Sequence, residues 1–389
     1  MKRSGTLRAI GGLVFASSAI IGCDDGVGPV SPTLFTAVAT GALHTCGIDE
    51  GGTVYCWGNG TAGELGNGVY APSVIPRAAP VNVSFVSLSA GARHTCAITT
   101  ENEVFCWGWN FNGQLGNAST IDQGVPVTID TPARFVQVSS GWFHTCGVTR
   151  SRGLVCWGAN GQGQLGDGTT IDRDTPRRIA NELEFASVSA GGFHTCAVTT
   201  DGQAYCWGLN NQGQLGTGTL TSTLRPARVE TTLRFTSMAA GYSHSCGLVV
   251  GGIPYCWGSN ADGEMGVAFT SQPGFVGSNR PAAVHDVTVP YTSLDAGLAI
   301  TCGVLTQGPA RCWGRGTDGQ LGNGAYRSWP APQPIPSVPD FAALSARGET
   351  HSCGVTTSRV ILCWGRGDYG QLGPATPASS LPVRLPGVG

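Results

Sequence analysis

Two residue types recur in this chain at spacings that could support chemistry. Of its fifteen cysteines, fourteen form seven pairs whose members stand ten positions apart: Cys46 and Cys56, Cys96 and Cys106, Cys146 and Cys156, Cys196 and Cys206, Cys246 and Cys256, Cys302 and Cys312, Cys353 and Cys363. Paired thiols could hold a metal, run a redox cycle or close disulfides. Six of the seven histidines fill one position of a Gly-x-x-His motif: His44, His94, His144, His194, His244 and His351. A ring of imidazoles could also bind a metal. Spacing and surroundings argue against both metal readings. Nine residues between paired cysteines do not match a zinc knuckle, and no histidine follows at a ligand spacing. There is no C-x-x-C redox motif, and no carboxylate recurs beside the histidines to orient them. The cysteine pairs therefore read as structural disulfides across a hairpin, where opposed residues lie within a disulfide's reach. In the chain-entropy model each closed loop of about ten residues contributes about 2–3 kcal/mol. The histidines are expected to tie each unit to a neighbouring backbone by a hydrogen bond. Neither metal nor cofactor is expected.

These residues must be positioned by a repeat. The first cysteines of the pairs step along the chain by 50 four times, then by 56 and 51. Each second cysteine is followed by Trp-Gly. The fourth copy shows the unit clearly. Phe185 to Ala190 has the pattern of a short strand, and Gly191 to Val198 that of a second. Asp201-Gly202 supplies a turn. Ala204 to Gly208 follows as a third strand, and Gly213-Gln214-Leu215-Gly216 as a tight loop. Arg225 to Val229 reads as a fourth strand, on an edge where Pro226 is tolerated. Four short strands in about fifty residues, with no helical period, describe the blade of a propeller. Seven copies predict an all-β, seven-bladed β-propeller of four antiparallel strands and one disulfide per blade. It fills 34–389 as a single domain. In the fifth copy Met265 replaces Leu and six residues are inserted before the outer strand; in the sixth Ile300 replaces His. Local distortion is expected there rather than a lost blade. The strand pattern at 381–385 is expected to close the ring by pairing with the first blade.

The combination Gly-x-x-His-Thr/Ser, an Asp-Gly-type turn and Trp-Gly-x-Asn-x-x-Gly-Gln-Leu-Gly resembles the regulator of chromosome condensation repeat family. The resemblance covers the whole repeat region. It implies a seven-bladed propeller with a central channel. The family's best-known activity is nucleotide exchange on a small nuclear GTPase, which an exported, disulfide-bonded chain would not meet. The family also includes a plant ultraviolet receptor that uses clustered tryptophans. Here Trp142 is the one tryptophan in a Gly-x-x-His loop, so photoreception is not expected. The tryptophans of the Trp-Gly pairs are expected to pack between blades.

The first 22 residues read as an export signal. Lys2, Arg3 and Arg8 precede an apolar stretch from Ala9 to Ile21, too short to span a bilayer as a helix. Ile20-Ile21-Gly22-Cys23 resembles a bacterial lipobox, with Cys23 as the residue that carries lipid after cleavage. That accounts for the unpaired fifteenth cysteine. Residues 23–33 form a short linker. The expected location is the cell envelope, with the lipid as the one attachment to a bacterial membrane; secretion is the alternative. The disulfides agree with an oxidising compartment.

Net charge is −2 and the charged fraction 12%. No basic stripe is available to displace phosphate counterions, which argues against nucleic acid. No nucleophile elbow, zinc motif or phosphate loop is present, so no enzyme and no catalytic residues are expected. If the repeated positions build the scaffold, function lies where the copies differ. The residues between Gly and His vary most, and three successive copies carry aromatics there. Trp109, Phe111, Trp142, Phe143, Phe193 and Tyr242 could together form an aromatic patch for an extracytoplasmic protein partner. The alternative is that they plug the channel or pad blade contacts. A carbohydrate ligand is the second functional reading, and an enzyme with its site at the channel mouth the third. The chain is expected to be monomeric.

Overall fold

Each repeat folds into its own sheet because it holds four strand-forming runs joined by connections short enough to pair neighbours. In the fourth blade the strands are Phe185–Ala190, His194–Thr199, Ala204–Gly208 and Thr223–Arg228. They pair antiparallel in chain order. The structure is a computed structural model that describes residues 1, 33–180, 182–267, 271–272, 275–285, 287–336, 340–374 and 376–385. The export segment 1–22, Cys23 and all but the last residue of the linker lie outside the described residues. Seven such sheets form, six of four strands and one of five, so the propeller read from the repeat is the fold. The first strand of every blade lines the central channel, and the fourth is outermost. The inserted residues of the fifth blade add a two-residue strand, Ser271–Gln272, outside a lengthened outer strand, Phe275–Ala283. The blade is extended, not lost.

The outer strands are edges, and an edge invites pairing with other chains. All seven carry a proline at the equivalent place: Pro76, Pro126, Pro176, Pro226, Pro281, Pro332 and Pro382. Each falls where the register with the third strand breaks, as between the pairs Cys56↔Arg77 and Gly58↔Ser73. Proline there removes an N–H and blunts the edge.

The cores lie between blades. In each pair the cysteines are directly opposed on the second and third strands, with Cα atoms 4.0–4.1 Å apart, and all seven disulfides form. Each disulfide packs in a cluster with the tryptophan of the following blade. Cys46–Cys56 meets Trp107, Cys96–Cys106 meets Trp157, and Cys353–Cys363 meets Trp57. These tryptophans have no exposed surface. Truncating a fully buried tryptophan costs about 3–5 kcal/mol, so each one is a large part of its junction's stability.

The ring closes differently from the sequence expectation. Ala378–Arg384 pairs with Ile361–Arg366 of its own blade, not with the first. The third strand of blade 7 needs an outer partner as in every other blade, and the next strand in the chain is nearest. Closure instead repeats the ordinary inter-blade contact. Trp57 Nε1 of blade 1 donates to the Gln371 carbonyl of blade 7 at 2.9 Å, and the Thr40 N–H donates to Ser345 Oγ at 3.0 Å.

All fourteen bridged cysteines are fully buried at blade junctions. Reductant should therefore reach them only when junctions open. We expect dithiothreitol to leave the bridges intact in native buffer and to release fourteen thiols once denaturant is added. Alkylation and mass measurement would read this, and ready release without denaturant would contradict it.

Candidate functional site

Strands that alternate in direction put the first-to-second and third-to-fourth connections of every blade on one face. The Gly-x-x-His loops and the loops after Trp-Gly therefore share that face. The six aromatic residues singled out from the sequence all lie there and touch. Trp142 and Tyr242 have ring centroids 4.4 Å apart. Phe143 is 5.9 Å from Trp142 and 6.2 Å from Phe193, which is 5.5 Å from Tyr242. These four rings make a closed circuit. Trp109 joins it through Phe143 at 5.4 Å and stacks on Phe111 at 6.0 Å, with the planes 12° apart. Phe111 is 72% exposed, while the other five are half-buried. The patch thus both packs on itself and faces solvent. Padding of blade contacts accounts for part of it, and a single continuous surface across blades 2–5 remains.

Gly192 makes the circuit possible. A Cβ at this position would lie 2.6 Å from the Tyr242 carbonyl oxygen and 2.7 Å from Tyr242 Cδ2. Without a side chain there, Tyr242 passes over blade 4's loop and reaches Trp142. Blades 6 and 7 differ in character on the same face. Arg315, Glu349, Arg366 and Asp368 stand at positions that are aromatic in blades 2 and 3, and a cleft of about 320 Å³ opens beside Glu349, Arg366 and Tyr369.

The histidines are buried and already engaged. His44 Nε2 lies 2.9 Å from Thr95 Oγ1 of the next blade, and the pattern repeats for His94–Thr145, His144–Thr195, His194–Ser245, His244–Thr301 and His351–Thr45 at 2.8–2.9 Å. The sequence reading had the tie going to backbone; its partner is a hydroxyl. That hydroxyl donates in turn to a loop carbonyl of the histidine's own blade, as Thr145 Oγ1 does to Gln114 O at 2.9 Å. A hydroxyl has one proton to give, so the imidazole Nε2–H must be the donor. Nδ1 of five of the six has no partner. Trp157 Nε1 donates to the same Gln114 carbonyl at 2.9 Å, so one oxygen gathers two donors from the next blade. The glycine of Gly-x-x-His is required by this packing. A Cβ on Gly41 would lie 2.1 Å from the His44 ring and 2.6 Å from the Gly91 carbonyl oxygen. Burial lowers the pKa of each histidine from 6.5 to about 3. Neutral, separated and hydrogen-bonded to the next blade, they form no shared ligand set.

Sequence reasoning missed one prominent residue of the channel. Arg347 reaches across it. Nη1 donates to the carbonyls of Ser140 at 2.8 Å and Ala190 at 3.1 Å, Nη2 donates to Ser189 Oγ at 3.1 Å, and Nε donates to Asp295 at 3.2 Å. The guanidinium separates a small cavity under Trp142 and Tyr242 from a hydroxyl-lined chamber of about 290 Å³. The signal was present in the cysteine steps. Ser345 pairs with Cys353 as Ser89 pairs with Cys96, but five residues rather than four then separate Ser345 from His351. Arg347 is the extra one, and the step of 51 records it.

The fold and this face together define a seven-bladed propeller with varied loops on a repeated frame. The RCC1-like domain family model matches residues 23–346, and the regulator of chromosome condensation (RCC1) repeat matches residues 341–371. The chain belongs to the RCC1-like domain family. Among curated relatives, the mitochondrial RCC1 domain-containing protein RUG3 of Arabidopsis thaliana is 32% identical over 26% of this chain and 23% of its own length. The Ultraviolet-B receptor UVR8 of the same plant is 31% identical over 27% of this chain and 24% of its own. The matched stretches are thus about a quarter of these relatives. Among solved structures, yeast RCC1 (Prp20) bound to Kap60 is similar with a TM-score of 0.75 and 22% identity, over 99% of this chain and 91% of that one. Human WBSCR16 gives 0.76 and 20%, over 86% and 93%.

The buried histidines make stability depend on pH. Their folded-state pKa of about 3 lies below the unfolded value of 6.5. The unfolded chain therefore binds more protons between these values, and stability falls as pH drops through 6.5 toward 3. Urea midpoints measured from pH 7.5 to 4 should decline across that window. His194→Gln should flatten the decline by about one proton's share. A midpoint independent of pH would contradict the buried, neutral assignment.

Proposed function

We propose that this protein is a non-enzymatic binding scaffold that presents its aromatic face to a protein partner outside the cytoplasm. The observation that carries this is the convergence of six aromatics from four blades into one continuous, partly exposed patch. Clustered aromatics of this kind anchor protein interfaces. They stand at the positions that vary among otherwise repeated blades, on loops held by a disulfide-braced frame. One similar structure is yeast RCC1 with Kap60 bound, and another is Prp20p of Saccharomyces cerevisiae, described with its binding properties to Gsp1p and histones. Those partners belong to those proteins; they support the general use of such propellers as protein binders. The seven disulfides and the signal-like first 22 residues support export, with Cys23 as a lipid anchor or, alternatively, release as a secreted protein.

A glycan is the second reading. The parallel pair Trp109–Phe111, with Phe111 largely exposed, would offer a sugar ring a flat apolar platform. An enzyme with its site at the channel mouth is the third; the six repeated histidines, buried and hydrogen-bonded to the next blade, are not available to serve as its base.

Mature protein should capture a partner from envelope extract, and the double substitution Trp142→Ala, Tyr242→Ala should abolish capture while thermal stability changes little. Retained capture would remove the patch from the interface. A collapsed melt would identify the rings as padding. Signal on a glycan array, lost in the same variant, would favour the sugar reading. For the anchor, Cys23→Ser should move the protein from the membrane pellet to the soluble fraction; unchanged fractionation would count against lipidation.

A further inference from the structure

We propose that Asp295 and Arg347 form a central staple that closes the channel and replaces the histidine tie missing between blades 6 and 7. Six junctions of the ring carry a His–hydroxyl bond, and the one between blades 6 and 7 does not, because Ile300 occupies the histidine position. Ser352, the hydroxyl that such a histidine would meet, still donates to Gln320 O at 3.1 Å. Two further departures from the repeat fall at this same junction. Asp295 of blade 6 stands where blades 2, 3, 4 and 7 have Ser89, Ser139, Ser189 and Ser345. Arg347 of blade 7 is the inserted residue.

The two side chains work together. Asp295 Oδ2 accepts the Ala346 N–H of blade 7 at 2.8 Å, the role that the serine hydroxyls play elsewhere, as Ser139 Oγ does for Ala190 N–H at 3.0 Å. Its other oxygen accepts Arg347 Nε at 3.2 Å. The carboxylate thus does what serine does and also holds a cation. The guanidinium carries that attachment across the channel to blades 3 and 4. Both groups are largely buried, with side chains 18% and 16% exposed, so solvent screens the pair only partly. A junction short of one bond to its neighbour is instead held through the axis. The same guanidinium turns the channel into two blind cavities, so a ligand on the aromatic face meets a floor and not a conduit.

The Cys302–Cys312 bridge reports on this junction alone, since it packs with Trp364 and Ala346 of blade 7. The test is timed reduction by dithiothreitol in urea below the unfolding transition, where junctions open often enough for reductant to enter, with each bridge mapped by mass spectrometry. In Arg347→Ala, Cys302–Cys312 should open about tenfold or more faster, as expected for a lost charge-assisted hydrogen bond, while Cys46–Cys56 and Cys96–Cys106, at junctions that Arg347 does not bridge, keep wild-type rates. Adding Ile300→His should bring the rate back toward wild type by restoring the tie to Ser352. Asp295→Ser gives a milder version that keeps the Ala346 N–H bond and removes only the ion pair. It should show the same selective change even if Arg347→Ala does not fold. An unchanged rate at Cys302–Cys312 in both variants, or equal acceleration of all seven bridges, would overturn the proposal.

Discussion

Everything in this molecule rests on one contact made seven times: the tryptophan of each blade, buried against the disulfide of the blade before it. A single four-stranded blade has two faces to bury and too little chain to bury them alone. Neighbours supply the cover. The tryptophan brings apolar area, and at six junctions its indole N–H also meets the carbonyl of the preceding glycine-rich loop. That loop is in turn shaped by the glycine against which the indole lies. A Cβ on Gly116, for example, would stand 2.7 Å from Trp157 Nε1. Sheet, disulfide, loop and indole are therefore a single unit of construction, and none can change without the next blade noticing.

This explains why residues that look chemical serve structure. A cysteine pair, present in every repeat, and a histidine, present in six of the seven, are the repeat's two most reactive features. The fold spends both on the blade junction. The disulfide presents a rigid surface for the next indole, and the imidazole closes a relay from histidine to hydroxyl to carbonyl. Desolvation keeps the imidazole neutral, which suits a donor with a bare Nδ1 and forbids a cation. The result is a ring whose repeated part has little chemistry left to offer.

The frame was legible from the chain because it depends on local spacing. A ten-residue separation predicts opposed positions on a hairpin, and Cys46↔Cys56 is such a pair. Junction chemistry was less visible because its partners are 51 residues apart, one repeat away: His144 meets Thr195, not a group in its own copy. The closing strand was misassigned for a related reason. A pattern at the chain's end looks available for closure, but blade 7 already needs it. Arg347 was the subtlest case. One extra residue in a step of 51 is easily read as loop slack, and nothing local says that its side chain crosses the axis. The aromatic residues were found by the opposite route, from the positions where the copies disagree. Their meeting depends on Gly192, whose importance lies in what it lacks.

A ring geometry makes such departures powerful. Positions equivalent in the repeat lie about fifty residues apart in sequence, yet at the narrow end of the blades they converge on the channel. Trp142 and Tyr242, two blades apart, come within 4.4 Å across a glycine, and Arg347 touches blades 3, 4 and 6 from blade 7. At the outer strands equivalent positions diverge, and a change there stays local, as the hairpin added to blade 5 does. Substitutions near the axis therefore act jointly, while those at the rim act singly. A propeller can acquire a composite surface from a few changes near its axis, with every junction tryptophan left in place.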